Sequence, residues 1–346
     1  MADRPDNTQD DTPDNTPRDG RTTGSKLPYA VDYHAPVLCK TAVDGLVTDE
    51  HGTYVDGTLG GGGHTAALLN RLATDAVVFG LDRDDDAIIF ASGRLKREID
   101  LGRLVTIRGN IADLLELMRA RGIRKVDGLL LDLGVSSHQL DTPERGFSHS
   151  KEGELDMRMD RAEGPTESAP TGTSAGALIN TSSERTLRDV LFRFGEEPRA
   201  RRIAGAIVAA RPMSTTTELA EVIRNAVPRE VEAKTLARVF QAIRIEVNRE
   251  LEALEAALYA ATELVKPGGR LVVIAYHSLE DRIVKRFMRS GSSGGDAPRD
   301  LYGNVLSPWK VIGRVVRADE AESAANPRSR SARLRIAERS EYDPSH

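Results

Sequence analysis

A doubly wound, parallel α/β sheet interrupted by a helical insertion is predicted by three features of this 346-residue chain. Short, nearly continuous apolar runs alternate with helical patterns. One of these runs, Thr53-Tyr54-Val55, opens directly into a glycine loop and then into an alanine- and leucine-rich helical stretch. From roughly Gln139 to Ala233 the alternation stops, leaving helical periodicity without a convincing strand. Apolar runs of about four to eight residues suit parallel strands covered by helices on both faces, and alternation of such runs with helices is the mark of a doubly wound sheet.

In chain order, residues 1 to about 30 contain Pro5-Asp6-Asn7-Thr8 and again Pro13-Asp14-Asn15-Thr16 among almost no apolar side chains. This composition predicts a disordered acidic tail. The following strands are expected at Thr53-Tyr54-Val55, Val77–Asp82, Leu104–Ile107, Val126–Asp132 and Arg270–Tyr276, with a closing pair at Lys310–Val316 and Ala332–Ala337. Loops rich in Pro, Thr, Ser and Gly are expected at Gly164–Gly176 and Ser290–Arg299. Leu236 to Leu264 reads as one long amphipathic helix, its apolar face formed by Leu236, Val239, Phe240, Ile243, Val247, Leu251, Leu254 and Leu258. Gln241, Arg244 and Asn248 share another face, either pointing into a cleft or tying the insertion to the sheet.

Bulk properties exclude several classes. No run approaches the ~18 apolar residues of a membrane span, and the polar, acidic N-terminus lacks the pattern of a signal peptide. A cytoplasmic location is the default expectation. Cys39 is the only cysteine, so neither an intramolecular disulfide nor a cysteine-based zinc site is available, and no metal is expected. Net charge is −5, but from Arg282 to Arg339 thirteen Lys and Arg face six Asp and Glu. A segment at +7 on a remainder at −12 fits a localised polyanion contact as well as it fits solvated surface helices.

The chemistry is expected at strand ends, because ligands of open α/β sheets sit beyond the carboxyl ends of the strands. Asp56-Gly57-Thr58-Leu59-Gly60-Gly61-Gly62-Gly63-His64 is the first such end. Four consecutive glycines let a ligand lie against bare backbone, and the helix behind them offers free N–H groups. Asp82 closes the next apolar run, where a carboxylate accepts hydrogen bonds from both hydroxyls of an adenosine ribose; capping of the following helix is served as well by Asp84, Asp85 or Asp86. Asp132 ends the most apolar strand, and a carboxylate there must meet a ligand or a donor. At the last end, Tyr276-His277-Ser278-Leu279-Glu280-Asp281, Ser278 with Asp281 makes a capping pair and His277 is a candidate for acid–base work. Gly61-x-Gly63-x-x-Ala66 also matches a loose dinucleotide fingerprint. An NAD-dependent oxidoreductase would need a hydride-transfer constellation that is not evident, whereas S-adenosylmethionine binding needs only the loop and the acidic strand end.

Taken together, His34-Ala35-Pro36-Val37-Leu38, Asp56 to His64, Leu81-Asp82-Arg83-Asp84 and Leu129 to Asp141 closely resemble the bacterial small-subunit ribosomal RNA cytosine methyltransferase H family, RsmH, formerly MraW. So do Glu144 to Ser148, Leu155 to Asp160, Phe240 to Leu251, His277 to Met288 and Asn326 to Arg339. The resemblance implies S-adenosylmethionine-dependent methylation of the exocyclic amine of a cytidine in the decoding region of small-subunit (16S) rRNA. The fold it implies is a class I methyltransferase sheet with an inserted all-helical domain: residues 31–138 and 234–340 form the methyltransferase domain, and 139–233 recognise substrate. Carried over by motif, cofactor contacts fall on Gly62, Gly63, His64, Asp82, Ile111, Asp132 and Gln139, with Asp132 or His277 as candidate catalytic groups. Ile111 departs from the aromatic residue frequent in the family. Gly134-Val135-Ser136-Ser137 stands where many amino-methylating enzymes carry Asp/Asn-Pro-Pro-aromatic. A catalytically silent rRNA-binding assembly factor is the other class, and whether the chain acts as a homodimer is left open.

Overall fold

The computed structural model describes residues 36–160, 173–294, 299–303 and 305–342. The acidic tail expected at 1–30 and most of the 164–176 loop lie outside them. Seven strands, β1 (Thr53–Asp56), β2 (Val77–Asp82), β3 (Leu104–Arg108), β4 (Val126–Asp132), β5 (Val265–Ala275), β6 (Trp309–Val316) and β7 (Arg333–Arg339), form one sheet in the order β3-β2-β1-β4-β5-β7-β6. The first five are parallel, and β7 lies antiparallel between β5 and the edge strand β6. Among the described residues no helix is long and apolar enough to cross a membrane.

Helices α1 (Cys39–Leu46), α2 (Gly63–Arg71), α3 (Asp85–Arg94), α4 (Lys96–Asp100), α5 (Leu114–Arg119) and α6 (Ser137–Asp141) precede the insertion. Within it run α7 (Ala175–Thr181), α8 (Glu184–Gly195), α9 (Ala200–Ala209), α10 (Thr216–Ala226) and α11 (Glu232–Asn248), followed by α12 (Glu250–Leu264), α13 (Ser278–Ser290) and α14 (Glu320–Ala325). Side chains alternate across a strand with a period of two, and both sets are apolar here. Tyr54, Val78, Leu130 and Val272 pack with α1 and α2, while Val55, Phe79, Leu129 and Val273 pack with α5, α12 and α13. That double coverage is why the sequence shows unbroken apolar runs.

The helix expected over Leu236–Leu264 is two helices. Arg249 adopts a left-handed conformation, φ 51° and ψ 43°, which costs a non-glycine residue roughly 1–2 kcal/mol. Asn248 offsets that cost. Its Nδ2 donates to the carbonyls of Met157 (2.7 Å) and Arg244 (2.9 Å), and its Oδ1 accepts the Met159 N–H at 2.8 Å. The single apolar stripe is thereby divided: Leu236, Val239, Phe240 and Ile243 join the insertion's own core with Phe147, Leu191 and Ile203, whereas Leu254 and Leu258 join the core of the sheet. The core of the helical unit therefore draws on residues beyond 233, from Leu236 to Ile245 of α11, with Leu251 packed against it.

Arg145, 1% exposed, joins that unit to the sheet. Its guanidinium meets Asp84 Oδ2 at 2.9 Å and Asp86 Oδ2 at 3.0 Å, and donates to the carbonyls of Arg158 (3.2 Å) and Met159 (3.0 Å). The segment 157–159 is thus held by Arg145 on one side and Asn248 on the other. Removing one partner of a buried ion pair leaves the other charge uncompensated, at ~3–5 kcal/mol. Arg145→Met is expected to lower unfolding stability by about that amount, with Arg145→Met/Asp84→Asn costing clearly less than the sum of the single changes. An additive cycle in urea unfolding would show that the pair does not couple the two units.

Candidate active site

A cavity of about 420 Å³ opens at the carboxyl ends of β1, β2, β4 and β5, a volume typical of small-molecule sites. Its position follows from topology. Beyond β1 the chain runs outward to β2 and β3, while β4 lies on the other side, so the connections leave β1 and β4 in opposite directions and a crevice remains between them. One wall is the sheet's own: Gly57 to Gly61, Gly63, His64, Asp82 and Ile111. The other is built from Gln241, Arg244, Glu250, His277 and Glu280, with Asn326, Arg328 and Ser331 of the C-terminal segment.

The glycine loop is held from behind. Asp56 is fully buried and accepts Thr65 Oγ1 at 2.7 Å and the Thr58 N–H at 3.2 Å. Thr58 Oγ1 accepts the Asp132 N–H at 2.6 Å, and Arg94 donates to the Gly61 carbonyl at 2.9 Å. Gly62 caps α2 at φ 72°, and a Cβ there would come 2.9 Å from Leu95 Cδ1. Gly63 and His64 face the cavity; Gly62, expected as a contact, is not among its lining residues and serves the turn that presents them.

Asp82 Oδ2 accepts the Gly60 N–H at 2.8 Å and Oδ1 accepts the Asp84 N–H at 2.9 Å. Burial pushes its carboxyl up to about 6, an effect these two bonds partly offset. Asp132 is likewise pushed by burial to about 6, with His64 and Tyr276 opposing. Tyr276 Oη donates to Asp132 Oδ1 at 2.8 Å, and His64 Nδ1 lies 3.5 Å from Oδ2. His64 Nε2 is bonded to the Val37 carbonyl at 3.0 Å, which fixes the ring. Burial, with help from Asp132, also pushes the Cys39 thiol up to about 12, so Cys39 is a neutral side chain and no nucleophile.

His277 lines the cavity at the end of β5, where the sequence puts it, and has a second task there. It is the N-cap of α13: Nδ1 accepts the Glu280 N–H at 3.3 Å, while Glu280 Oε2 accepts the His277 N–H at 3.2 Å. The capping pair is therefore His277 with Glu280, one position before the expected Ser278 and Asp281. Ser278 Oγ instead donates to Glu196 at 2.7 Å, and Asp281 binds Arg333 at 2.9 Å and Arg335 at 2.7 Å. Glu250, His277 and Glu280 bring ligand atoms close together, but they are poor donors for a metal. The Nδ1 lone pair is spent on the backbone, leaving Nε2 with the proton in the neutral ring, and both Glu250 oxygens accept from Arg244, at 2.8 and 2.9 Å.

Ile111 contributes an apolar wall at the end of β3. Gln139 also lines the cavity, with both ends of its amide engaged: Nε2 donates to Asp84 at 2.8 Å and Oε1 accepts the Ser136 N–H at 3.0 Å, closing a capping box on α6. Of the polar face Gln241, Arg244 and Asn248, the first two reach the cavity and Asn248 ties the insertion down. Sequence reasoning missed Arg94 and Glu250 as parts of this site. Their only local signal was charge in a helical or turn pattern, which surface residues share.

The chain matches the model of the MraW methylase family over residues 32–340. It is 46% identical over 311 residues to ribosomal RNA small subunit methyltransferase H of Phocaeicola vulgatus, spanning 89% of this chain and 97% of that protein. Against the protein of the same name from Geotalea uraniireducens it is 47% identical over 317 residues, spanning 89% and 98%. It also has a loose likeness to the solved SAM-dependent O-methyltransferase of Thermotoga maritima, with a TM-score of 0.37 at 10% identity over 87% of this chain and 64% of that one. The family match runs from the residues before α1 to the end of β7 and so takes in every wall of the cavity: the chain belongs to the MraW methylase family.

Proposed function

We propose that this S-adenosylmethionine-dependent methyltransferase methylates the exocyclic N4 amine of a cytidine in the decoding region of small-subunit rRNA. The observation that carries the reading is the two-sided cavity, with a wall of glycine loop and strand-end acids from the sheet facing a polar wall from the insertion and the C-terminal segment. The names of the relatives agree with it.

The residues fit the cofactor. Asp82 has its backbone bonds on one side and the cavity on the other, which suits the ribose hydroxyls; Ile111 and Leu133 give the adenine an apolar surface, and the Gly57–His64 loop leaves room for the methionine part. Bound S-adenosylmethionine supplies a methyl on a good leaving group, the sulfonium. A cytosine amine is a weak nucleophile because its lone pair is delocalised into the ring, so the protein's main work is to hold nitrogen in line with the methyl. Such alignment is worth up to about 7–11 kcal/mol. As the N–C bond forms and the C–S bond breaks, the amine must lose a proton. Asp132, raised to about 6 and steadied by Tyr276, is suited to receive it; His277 is committed to its cap.

The target base must leave its stack to reach the cavity. Arg328 and Ser331 line the mouth, and Arg330 beside them is exposed, as is Arg286 on α13. This reading sets the reaction in the cytoplasm, on ribosomal particles.

The direct test is to incubate the protein with small subunits lacking the modification and labelled S-adenosylmethionine, then map the label; transfer anywhere but a cytidine N4 overturns the reading. NAD should leave the melting temperature unchanged where S-adenosylmethionine raises it. Asp132→Asn is expected to slow single-turnover methylation by about 10²–10⁴-fold at saturating cofactor; weaker cofactor binding with an unchanged rate would remove Asp132 from the chemistry. Because Asp82 and Asp132 titrate near 6, cofactor affinity measured by calorimetry should rise from about pH 5 to about pH 7 and then level. The stability contributed by these two groups moves the other way, falling as pH rises from the ordinary carboxylate range through about 6, because the folded state holds their protons more tightly than the unfolded chain. Arg286→Ala and Arg330→Ala should each weaken subunit binding and reduce its log–log salt slope by ~0.7, and two unchanged slopes would move the RNA face elsewhere.

A further inference from the structure

Helix α13 starts at the cavity, where its cap His277 forms part of the wall. At ~1.5 Å per residue its thirteen residues carry the chain about 18 Å away. Arg282, Lys285, Arg286 and Arg289 recur at three- and four-residue spacing, so they share one face, and all four are exposed. Arg282 is tied to Glu196 of the insertion at 2.8 Å, and Arg286 donates to the Ser293 carbonyl at 2.8 Å. Lys285 and Arg289 make no ion pair among the described residues. The stripe is a line of positive charge leading outward from the pocket.

At its far end Gly291 abuts Pro308; a Cβ on Gly291 would lie 2.5 Å from the proline ring. Among the described residues between them, 299–303 make a tight turn, with Arg299 bridged to Val305. Asp300 Oδ1 accepts the Tyr302 N–H at 2.9 Å, the Asp300 carbonyl accepts the Gly303 N–H at 3.0 Å, and Arg299 donates to the Gly303 carbonyl at 2.7 Å. The hydrogen-bonded turn holds Leu301 and Tyr302 at its tip, 102% and 91% exposed. An apolar ring held clear of the protein by its own backbone bonds contributes nothing to the core. On a segment whose base, where Gly291 meets Pro308, lies at the end of a line of cations, it has the make-up of a single-strand site, where aromatic rings stack bases and basic residues follow the backbone.

We propose that Tyr302 is a stacking finger for an unpaired rRNA base, and that the strand bearing the target nucleotide runs along α13 and is held at both ends of the helix. The proposal rests on the functional reading above and adds a second contact, several nucleotides from the site of methylation. It is tested with Tyr302→Ala, Tyr302→Phe and Tyr302→Trp, each at saturating S-adenosylmethionine, by single-turnover methylation over a range of concentrations of unmethylated small subunits. Tyr302→Ala should raise the half-saturating concentration about tenfold, the worth of one base stack. Its maximal rate should be unchanged, and the Phe and Trp variants should behave like the wild type. A wild-type saturation curve for Tyr302→Ala overturns the proposal, as does failure of Phe and Trp to restore it. Should the wild type transfer no methyl to these subunits, the functional reading falls by itself. The finger is then judged by filter retention of the same subunits, where equal binding by Tyr302→Ala and wild type overturns it.

Discussion

Everything at the cavity depends on where the Arg145 guanidinium sits. It is almost completely buried and meets Asp84, which also caps α3 and receives the amide of Gln139. One carboxylate therefore joins the end of β2, the start of α3, helix α6 and the first turn of the insertion. A charge of this kind is tolerated away from water when it is paired and hydrogen-bonded, as the two terminal nitrogens are here, although Nε has no partner among the described residues. The position of the insertion over the sheet is thus specified far more tightly than apolar packing alone would do. Asn248 repeats the device from the other side with neutral groups.

Three aspartates end three neighbouring parallel strands, and their surroundings give them three tasks. Asp56 is fully buried and spends its oxygens on the hydroxyl of Thr65 and the N–H of Thr58, so it builds the loop. Asp82 is bound by backbone N–H groups and faces the cavity, which suits a neutral ligand rich in hydroxyls. Asp132 has a phenol and an imidazole for neighbours and lies where the two walls meet. Burial raises the two cavity-facing carboxyls to about 6, close enough to neutrality for either to exchange a proton during a reaction.

Much of this was legible in the residues. The parallel strands were visible because double coverage demands unbroken apolar runs, and the ligand site was visible because glycines, and acids at strand ends, are costly anywhere else. Other features were not. The break at Arg249 has no glycine or proline to announce it; it exists because Asn248 finds three backbone partners, two of them about ninety residues earlier in the chain. The cap of α13 was misread by one position, since serine is the usual capping residue and histidine takes that role here only because Glu280 closes the box from the other side. Glu250 carries no local signal beyond charge in a helical pattern; it joins the cavity wall because Arg244 holds both its oxygens.

What the sequence by itself determined is what depends on local chemistry: the periodicity of strands and helices, the glycine turn, the acid at each strand end and the surplus of positive charge toward the C-terminus. Tertiary structure alone decided which of those acids face a ligand and which face the backbone, where the insertion ends, and which charges form one wall. These properties belong to pairs such as Arg145 with Asp84 and Tyr276 with Asp132, separated by 61 and 144 positions. Their distance in space is set by the order of strands in the sheet, which no local pattern of residues encodes.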